Sequence, residues 1–281
     1  MAHKDRIPLD RLRDVAASAA ESSARRRETV RIAIELDPLV PRELALAVRD
    51  ALMPQTATGL VHVGNIVPGA PLPVSPATDL ALVIAGGSEA ECAATARAFA
   101  SQGVPCAIVA QTSVDAPGEV GAPGVALVAA ATREVLLEKL ASWMADACGK
   151  DLALASCFPF CRRTLALRSV RAHATQNAAV GALFLIPGAD FPVMCANQAK
   201  MLVEVGAIFG RDITVSGAAG LVGVLAAGSA SRALARSLVS ALPGLGWAVK
   251  AGIAFGATTA MGHALVARLE GEDEAHGASV S

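Results

Sequence analysis

Residues 79–86 read Asp-Leu-Ala-Leu-Val-Ile-Ala-Gly, and this apolar run decides the fold. A continuous run without alternating polar residues is typical of a parallel β-strand that is covered on both faces. Four further runs have the same character and predict four further strands, at residues 29–36, 60–65, 105–112 and 124–130.

Helical patterns separate these runs in the first half of the chain. They lie at residues 41–53, 88–102 and 132–148, so strands and helices alternate. This alternation predicts a three-layer α/β domain with a parallel sheet over residues 29–148. Residues 64–78 contain four prolines, and we expect a loop or an extended edge there.

The composition restricts the class of protein. Of 281 residues, 53% are hydrophobic and 17% are charged, whereas globular domains average about 25% charged residues. A net charge of −1 and an aromatic content of 3% argue against nucleic acid as a partner. We expect no secretory signal, because the first residues are polar, and reduced thiols, because the six cysteines show no pairing pattern.

The second half of the chain is poor in charge. Residues 172–267 hold only eight charged side chains, and three stretches hold none, at residues 172–189, 213–231 and 251–267. These stretches have 17 to 19 residues, which at 1.5 Å per residue is the lower limit for crossing a hydrocarbon core about 30 Å thick. The pattern favours closely packed apolar helices.

These shifts in composition divide the chain into four parts. We predict an N-terminal helix at residues 1–28, the α/β domain at 29–148, an all-helical apolar domain at 151–270 and an acidic tail at 271–281. In the helical domain, small residues share one helical face and predict close approach of helix backbones, in the sets Gly220, Val224, Gly228 and Gly252, Gly256, Ala260.

The arginines of the helical domain indicate its surroundings. Residues 151–268 carry a net charge of +6, and four arginines precede the first apolar stretch, namely Arg162, Arg163, Arg168 and Arg171. Cytoplasmic flanks of membrane segments are enriched in such residues, which predicts the cytoplasmic face of a bacterial inner membrane and anionic lipid as partner. Asp190 and Lys200 make separate spans costly, by about 2.5–3.5 kcal/mol each. A partly inserted hairpin and a soluble or protein-bound oligomer both stay open.

A phosphate-binding loop is absent after the first predicted strand. Such a loop needs glycines, whose amides surround the phosphates, followed by lysine. Residues 35–41 read Glu-Leu-Asp-Pro-Leu-Val-Pro, so two acids stand where an anion would bind. This argues against nucleotide hydrolysis by the P-loop route.

Residues 79–148 nevertheless resemble the second half of an Era-type small GTPase domain. The run at 79–84 is similar to the strand that begins with aspartate in that family, and residues 112–115 are similar to its guanine-reading motif, [Asn/Thr]-Lys-x-Asp. Thr112 and Asp115 match the motif, whereas Ser113 replaces its lysine. The resemblance implies a degenerate domain in which Thr112 and Asp115 contact a base, unless Asp115 is simply a turn residue.

The C-terminal half resembles the domain-of-unknown-function family 697 over roughly residues 151–270. The family's motif positions are carried here by Asn177, Pro187, Gly188, Asp190, Pro192, Asn197, Gln198, Lys200 and Met201. The family accompanies GTPase-like domains in bacterial inner-membrane proteins. The resemblance therefore implies membrane association and a GTPase-linked role, without a defined reaction.

The chemistry of these motif residues is mainly structural. Pro187 and Gly188 predict a helix break, after which Asp190 caps the next helix and Pro192 occupies its first turn. Asn197 and its neighbour Gln198 are expected to hydrogen-bond across helices.

No arrangement of residues typical of catalysis or metal binding stands out in the sequence. Cys157, Cys161 and His173 form only an irregular zinc-ligand set, and no Ser-His-Asp or paired-carboxylate pattern occurs. We therefore expect no cofactor and favour a non-catalytic, membrane-associated pseudo-GTPase-like scaffold or sensor. The alternatives are a GTPase-like hydrolase with a displaced phosphate site, or a soluble oligomeric protein that binds a small ligand at the carboxyl ends of the strands.

Overall fold

The computed structural model describes residues 21–70, 72–112, 123–183, 191–211, 213 and 246–280. The chain divides into two compact units. The α/β unit comprises Arg25–Leu165, and the helical unit comprises Ala166–Ser281 together with Met1–Ala24, each as far as it is described.

A five-stranded parallel sheet forms the centre of the α/β unit. Its strands are β1 (Val30–Leu36), β2 (Gly59–Asn65), β3 (Leu80–Ile84), β4 (Cys106–Ala110) and β5 (Val125–Ala129). Every neighbouring pair is parallel, and the order across the sheet is β2-β1-β3-β4-β5. All five predicted strands are confirmed, and the sheet is parallel as predicted.

Helices lie on both faces of this sheet. The predicted helices are present as α1 (Arg42–Ala51), α2 (Glu89–Ser101) and α3 (Arg133–Cys148). The crossovers from β1 to β2 and from β3 to β4 run in opposite directions, and right-handed crossovers therefore place α1 and α2 on opposite faces. Between β2 and β3, the described residues form no helix or strand, in keeping with the predicted loop.

The alternation of side chains along β3 shows how both faces are buried. Ala81 and Val83 pack with Phe99 of α2 in one hydrophobic cluster, while Leu80 and Leu82 point to the other face. All five side chains are at most 2% exposed. This explains why the strand reads as a continuous apolar run.

The segment after α3 also packs in the α/β unit. Gly149, with a φ of 68°, ends α3, and α4 (Asp151–Cys157) follows with a 3₁₀ turn at Pro159–Cys161. The Cys157 carbonyl accepts a 2.9 Å hydrogen bond from the amide of Gln55, and Phe158 is fully buried. The sequence prediction started the helical domain at residue 151, whereas the division into units falls after Leu165.

Three long helices follow the 3₁₀ turn in the described part of the chain, namely α5 (Arg162–Leu183), α6 (Phe191–Ile208) and α7 (Gly246–Val280). Helix α5 continues through the division between the units, so no turn residue marks that division in the sequence. In the described part of the chain, no helix combines the length and the apolarity that crossing a membrane requires.

Helices α5 and α7 approach closely at two glycines. A Cβ atom at Gly181 would lie 3.2 Å from the carbonyl oxygen of Lys250, and one at Gly262 would meet the side chain of Val170. At Gly252 and Gly256, no described residue lies within 4 Å of a Cβ built at either position, so close approach of a helix backbone there stays a prediction. Several predicted positions lie outside the described residues: Asp115, Pro187, Gly188, Asp190 and the stretch 214–231.

Candidate functional site

The strand order places a switch point between β1 and β3. From β1 the chain proceeds to β2 on one side, and from β3 it proceeds to β4 on the other. In sheets of this order, ligands bind in the crevice that opens at the carboxyl ends of the two strands. Asp37 follows β1 at this point, and Gly86, Gly87 and Ser88 follow β3.

The carboxylate of Asp37 occupies this crevice. Its Oδ2 accepts hydrogen bonds from the amides of Gly86, at 2.9 Å, and Ser88, at 2.8 Å. Its Oδ1 accepts a 3.0 Å bond from the amide of Leu39. Because Ser88 directly precedes α2, the carboxylate binds where a helix N-terminus would attract a phosphate. The anion at the switch point is thus part of the chain.

The loop that follows Asp37 closes the crevice further. A Cβ atom at Gly86 would collide with the backbone of Leu39 and Val40, so only glycine allows the two loops to pack this closely. The amide of Val40 also donates a 3.0 Å hydrogen bond to the Asp37 carbonyl. The backbone of residues 37–40 therefore lies against the loop that would otherwise face a ligand.

The electrostatics of Asp37 favour its charged form. Burial raises its pKa, but the hydrogen bonds from Leu39, Ser88 and Gly86 outweigh this effect and lower the pKa to about 2. The thiol of Cys92 lies 3.6 Å from Oδ2, and burial together with the charge of Asp37 raises the pKa of Cys92 to about 12. Cys92 therefore stays a thiol, unsuited to nucleophilic chemistry.

The two residues of the guanine-reading pattern are placed in part. Thr112 lies two residues beyond β4, at the same edge of the sheet as Asp37, and its side chain is exposed. Asp115 lies outside the described residues, so the pairing of these two side chains stays a prediction. The carboxyl ends of parallel strands lie at one edge of a sheet, so the end of β4 shares this edge with the crevice.

A second polar site lies on the sheet face beneath α2, beside strand β2. A pocket of about 250 Å³ is lined there by Arg31, Glu35, His62, Ser75, Thr78 and Phe99, among others. Glu35 is only 6% exposed, and in the described structure no group donates a hydrogen bond to its carboxylate. Burial raises the pKa of Glu35, and the charge of His62 lowers it in part.

Polar side chains also connect the three helices of the helical unit. The Nδ2 of Asn197 on α6 donates to the Oδ1 of Asn177 on α5 at 2.9 Å, and to the carbonyl of His173 at 3.0 Å. The ring of His173 lies between α6 oxygens, with Nδ1 at 2.7 Å from Oδ1 of Asn197 and Nε2 at 3.0 Å from Oε2 of Glu204.

This network continues to α7 through a buried threonine. The Oγ1 of Thr258 accepts hydrogen bonds from Asn177, at 2.9 Å, and Gln198, at 3.2 Å. Asn177 and Thr258 are fully buried. The prediction that Asn197 and Gln198 bond across helices is confirmed, and the partners show that these motif residues hold α5, α6 and α7 together.

The remaining motif positions that the structure describes occupy α6. Pro192 is in its first turn, as predicted, and Met201 is fully buried on its apolar face. Lys200 is partly exposed. Gly210, with a φ of 71°, follows the end of this helix. These positions shape the helix, and the described contacts give them no ligand.

Burial keeps two further thiols, those of Cys106 and Cys148, in their protonated form. Burial raises the pKa of Cys106 to about 12 and that of Cys148 to about 11. The Sγ of Cys157 lies 3.2 Å from the hydroxyl of Thr56, within the α/β unit. Across the described ranges, no group of three His, Cys, Asp or Glu side chains could hold a metal ion.

The sequence pattern located the two acids, Glu35 at the end of β1 and Asp37 directly after it, but did not show their different roles. Asp37 was seen only as an obstacle to phosphate, although an aspartate before Pro-Leu can bond its own loop amides. Glu35 had a detectable signal, because it is an acid inside the apolar run at residues 29–36. Its neighbour Gly64 could not be paired with it without the register of β1 and β2.

Comparison with protein-family models, with curated proteins and with solved structures finds no match to this chain. The resemblances to the Era-type GTPases and to the family numbered 697 stay predictions from the sequence.

Proposed function

We propose that this chain is a non-catalytic, pseudo-GTPase-like scaffold or sensor. One observation carries the proposal, namely that the Asp37 carboxylate fills the switch-point crevice with three backbone hydrogen bonds. A nucleotide phosphate would have to displace this carboxylate, which repels it, and would find no lysine on residues 35–41 to neutralise it. The resemblance of residues 79–148 to a GTPase domain supports the derivation of such a protein from a nucleotide-binding ancestor.

Calorimetric titration with GDP, GTP and ATP tests this proposal. With and without Mg²⁺, we expect no saturable heat from any of the three. Micromolar binding that depends on Mg²⁺ and leads to turnover would contradict the scaffold function and favour a hydrolase with a displaced phosphate site. Repeating the titration with Asp37→Asn, after checking that the variant is folded, separates occlusion by the carboxylate from a general lack of affinity.

We also propose that the scaffold works at the cytoplasmic face of a bacterial inner membrane. Arg163, Arg168 and Arg171 are exposed on α5, and basic residues near an anionic surface contribute about 1 kcal/mol each. We expect these arginines to hold the chain at the lipid surface by their charge. The resemblance to the family numbered 697 supports the same location.

Vesicle sedimentation tests the membrane part separately. We expect the chain to sediment with vesicles of phosphatidylglycerol and phosphatidylcholine, and to be released by high salt. The double change Arg168→Gln with Arg171→Gln should weaken sedimentation, whereas Arg49→Gln with Arg133→Gln, also exposed arginines, should not. If the protein is a monodisperse oligomer that does not sediment with anionic vesicles, membrane association is contradicted and a soluble scaffold is the remaining proposal.

A further inference from the structure

The pocket beside β2 is built around Glu35, a nearly buried acid that accepts no hydrogen bond in the described structure and has the charge of His62 as its neighbour. Glu35 pairs in register with Gly64, and a Cβ atom at residue 64 would collide with the Glu35 carboxylate. The side chain therefore lies over the glycine, a position open only because residue 64 has no side chain. A buried carboxyl usually has a hydrogen-bond donor or a charge beside it. Here the pocket is the side from which such a donor can come.

The other polar groups of the pocket have the opposite charge or none. Residues 31, 33 and 35 share one face of β1, and His62 lies opposite Ala33 in the register with β2. Arg31 and His62 are exposed, so they stand toward solvent, while Phe99 is 2% exposed. Ser75 and Thr78 add hydroxyl groups from the loop before β3. The pocket thus combines one buried acid, an apolar wall and a basic rim.

We propose that this pocket binds a small elongated zwitterion, with its ammonium group on Glu35 and its carboxylate toward Arg31 and His62. Arg31 and Glu35 are four positions apart in β1, which places their Cα atoms about 13 Å apart along the strand. The two charges of the ligand must therefore be several bonds apart, as in an ω-amino acid. The pocket volume of about 250 Å³ equals that of roughly eight water molecules. It therefore suits a ligand of roughly eight non-hydrogen atoms.

Binding has a defined proton balance. Where Glu35 is protonated before binding, its carboxyl O–H bond breaks, the carboxylate accepts hydrogen bonds from the ligand's ammonium group, and one proton goes to solvent. No other bond changes. Ligand binding in this pocket does not depend on the closed crevice at Asp37. The test of this proposal and the nucleotide titration can therefore fail independently.

Isothermal titration of the full chain with 6-aminohexanoate tests the proposal. We expect saturable binding at one site, with proton release that declines as pH rises, measured in buffers of different ionisation enthalpy. Hexanoate, which lacks the ammonium group, should bind about ten-fold more weakly or not at all. Absence of saturable binding by 6-aminohexanoate, or equal binding of hexanoate, would overturn the proposal.

Variants locate the binding within the pocket. Glu35→Gln keeps the shape of the side chain and should weaken binding about ten-fold, while Glu43→Gln, an exposed acid on α1, should leave it unchanged. Arg31→Gln, at an exposed position that does not threaten folding, should weaken binding about two- to three-fold because its charge is screened by water. Unchanged affinity in both Glu35→Gln and Arg31→Gln would overturn the assignment, and the second variant decides if the first fails to fold.

Discussion

At the scale of single residues, Asp37 shows how one side chain can replace a ligand. Its carboxylate accepts three backbone hydrogen bonds in a place where related sheets hold anions. Charged acceptors at a helix N-terminus are stabilised by the amides and by the helix dipole. The same contacts that exclude a phosphate therefore stabilise the two loops against each other, which links the fold to the proposed lack of nucleotide chemistry.

Asp37 makes stability depend on pH in the acid range. Its pKa is lowered from 3.8 to about 2, so its contribution is fully present above about pH 4 and is lost as the pH falls through 2. The shift corresponds to about 2 kcal/mol of unfolding free energy. Urea unfolding between pH 7 and 2 should show this loss in the wild type but not in Asp37→Asn, which should already be destabilised at pH 7 by about 2 kcal/mol.

Asp50→Asn is the matched control, because Asp50 is an exposed acid paired with Arg49 on the surface. Its pH profile should follow that of the wild type. If the profiles of Asp37→Asn and wild type run parallel between pH 5 and 2, the carboxylate does not have the stabilising role given to it here.

In the helical unit, Asn177 is the buried polar residue whose contribution to stability can be tested in the same way. It is fully buried between Thr258 and Asn197, and its removal takes one hydrogen bond from each of these two side chains inside the unit. Asn177→Ala should lower the free energy of unfolding by about 2–3 kcal/mol. Gln176→Ala, one residue away and exposed, should change it by less than about 0.5 kcal/mol. Thermal unfolding followed by circular dichroism measures both, and equal effects would show that the network contributes nothing specific.

At the scale of elements, the strands and the helices of the α/β unit followed from local pattern. A buried parallel strand is apolar on both faces, so its sequence alone identifies it, as β3 illustrates. The site did not follow in the same way. The contact of Glu35 with Gly64 depends on the register of two strands, and the hydrogen bond that the Ser88 amide donates to Asp37 joins residues 51 positions apart. Pairings of this kind are set by tertiary packing, which one sequence does not specify.

Which glycines of α7 pack against another helix is likewise set by tertiary packing, and two substitutions test this directly. Gly262→Ala should lower the free energy of unfolding by about 1–3 kcal/mol, because the new methyl group meets Val170, whose branched side chain has few alternatives. Gly252→Ala should raise it by about 0.5–1 kcal/mol, since the described structure leaves that position open. Urea unfolding measures both. A destabilised Gly252→Ala variant would mean that a helix does pack there, as the glycine spacing suggested.

At the scale of the whole molecule, the buried polar groups separate a structural role from a binding role. In the described parts of both units, Asp37 and Asn177 are satisfied by the chain's own amides and side chains. Glu35 is nearly as buried, at 6% exposed, but faces a pocket. Burial of this carboxyl costs desolvation free energy, and a protein that only scaffolds gains nothing from that cost. The sensor form of the proposed function is therefore the one that accounts for Glu35.

The extent of the α/β unit gives the last prediction. Sequence composition ended this domain at residue 148, whereas the contacts extend it to Leu165. Leu154 and Phe158 are fully buried, and Lys150 bonds both the Thr29 carbonyl, at 2.8 Å, and the Asp79 carboxylate, at 2.7 Å. A fragment of residues 25–165 should therefore unfold cooperatively in urea, with a free energy at least about 3 kcal/mol above that of a 29–148 fragment, because burial of each large apolar side chain contributes about 1.5–3 kcal/mol. Equal midpoints and slopes for the two fragments would show that residues 149–165 add nothing to this unit.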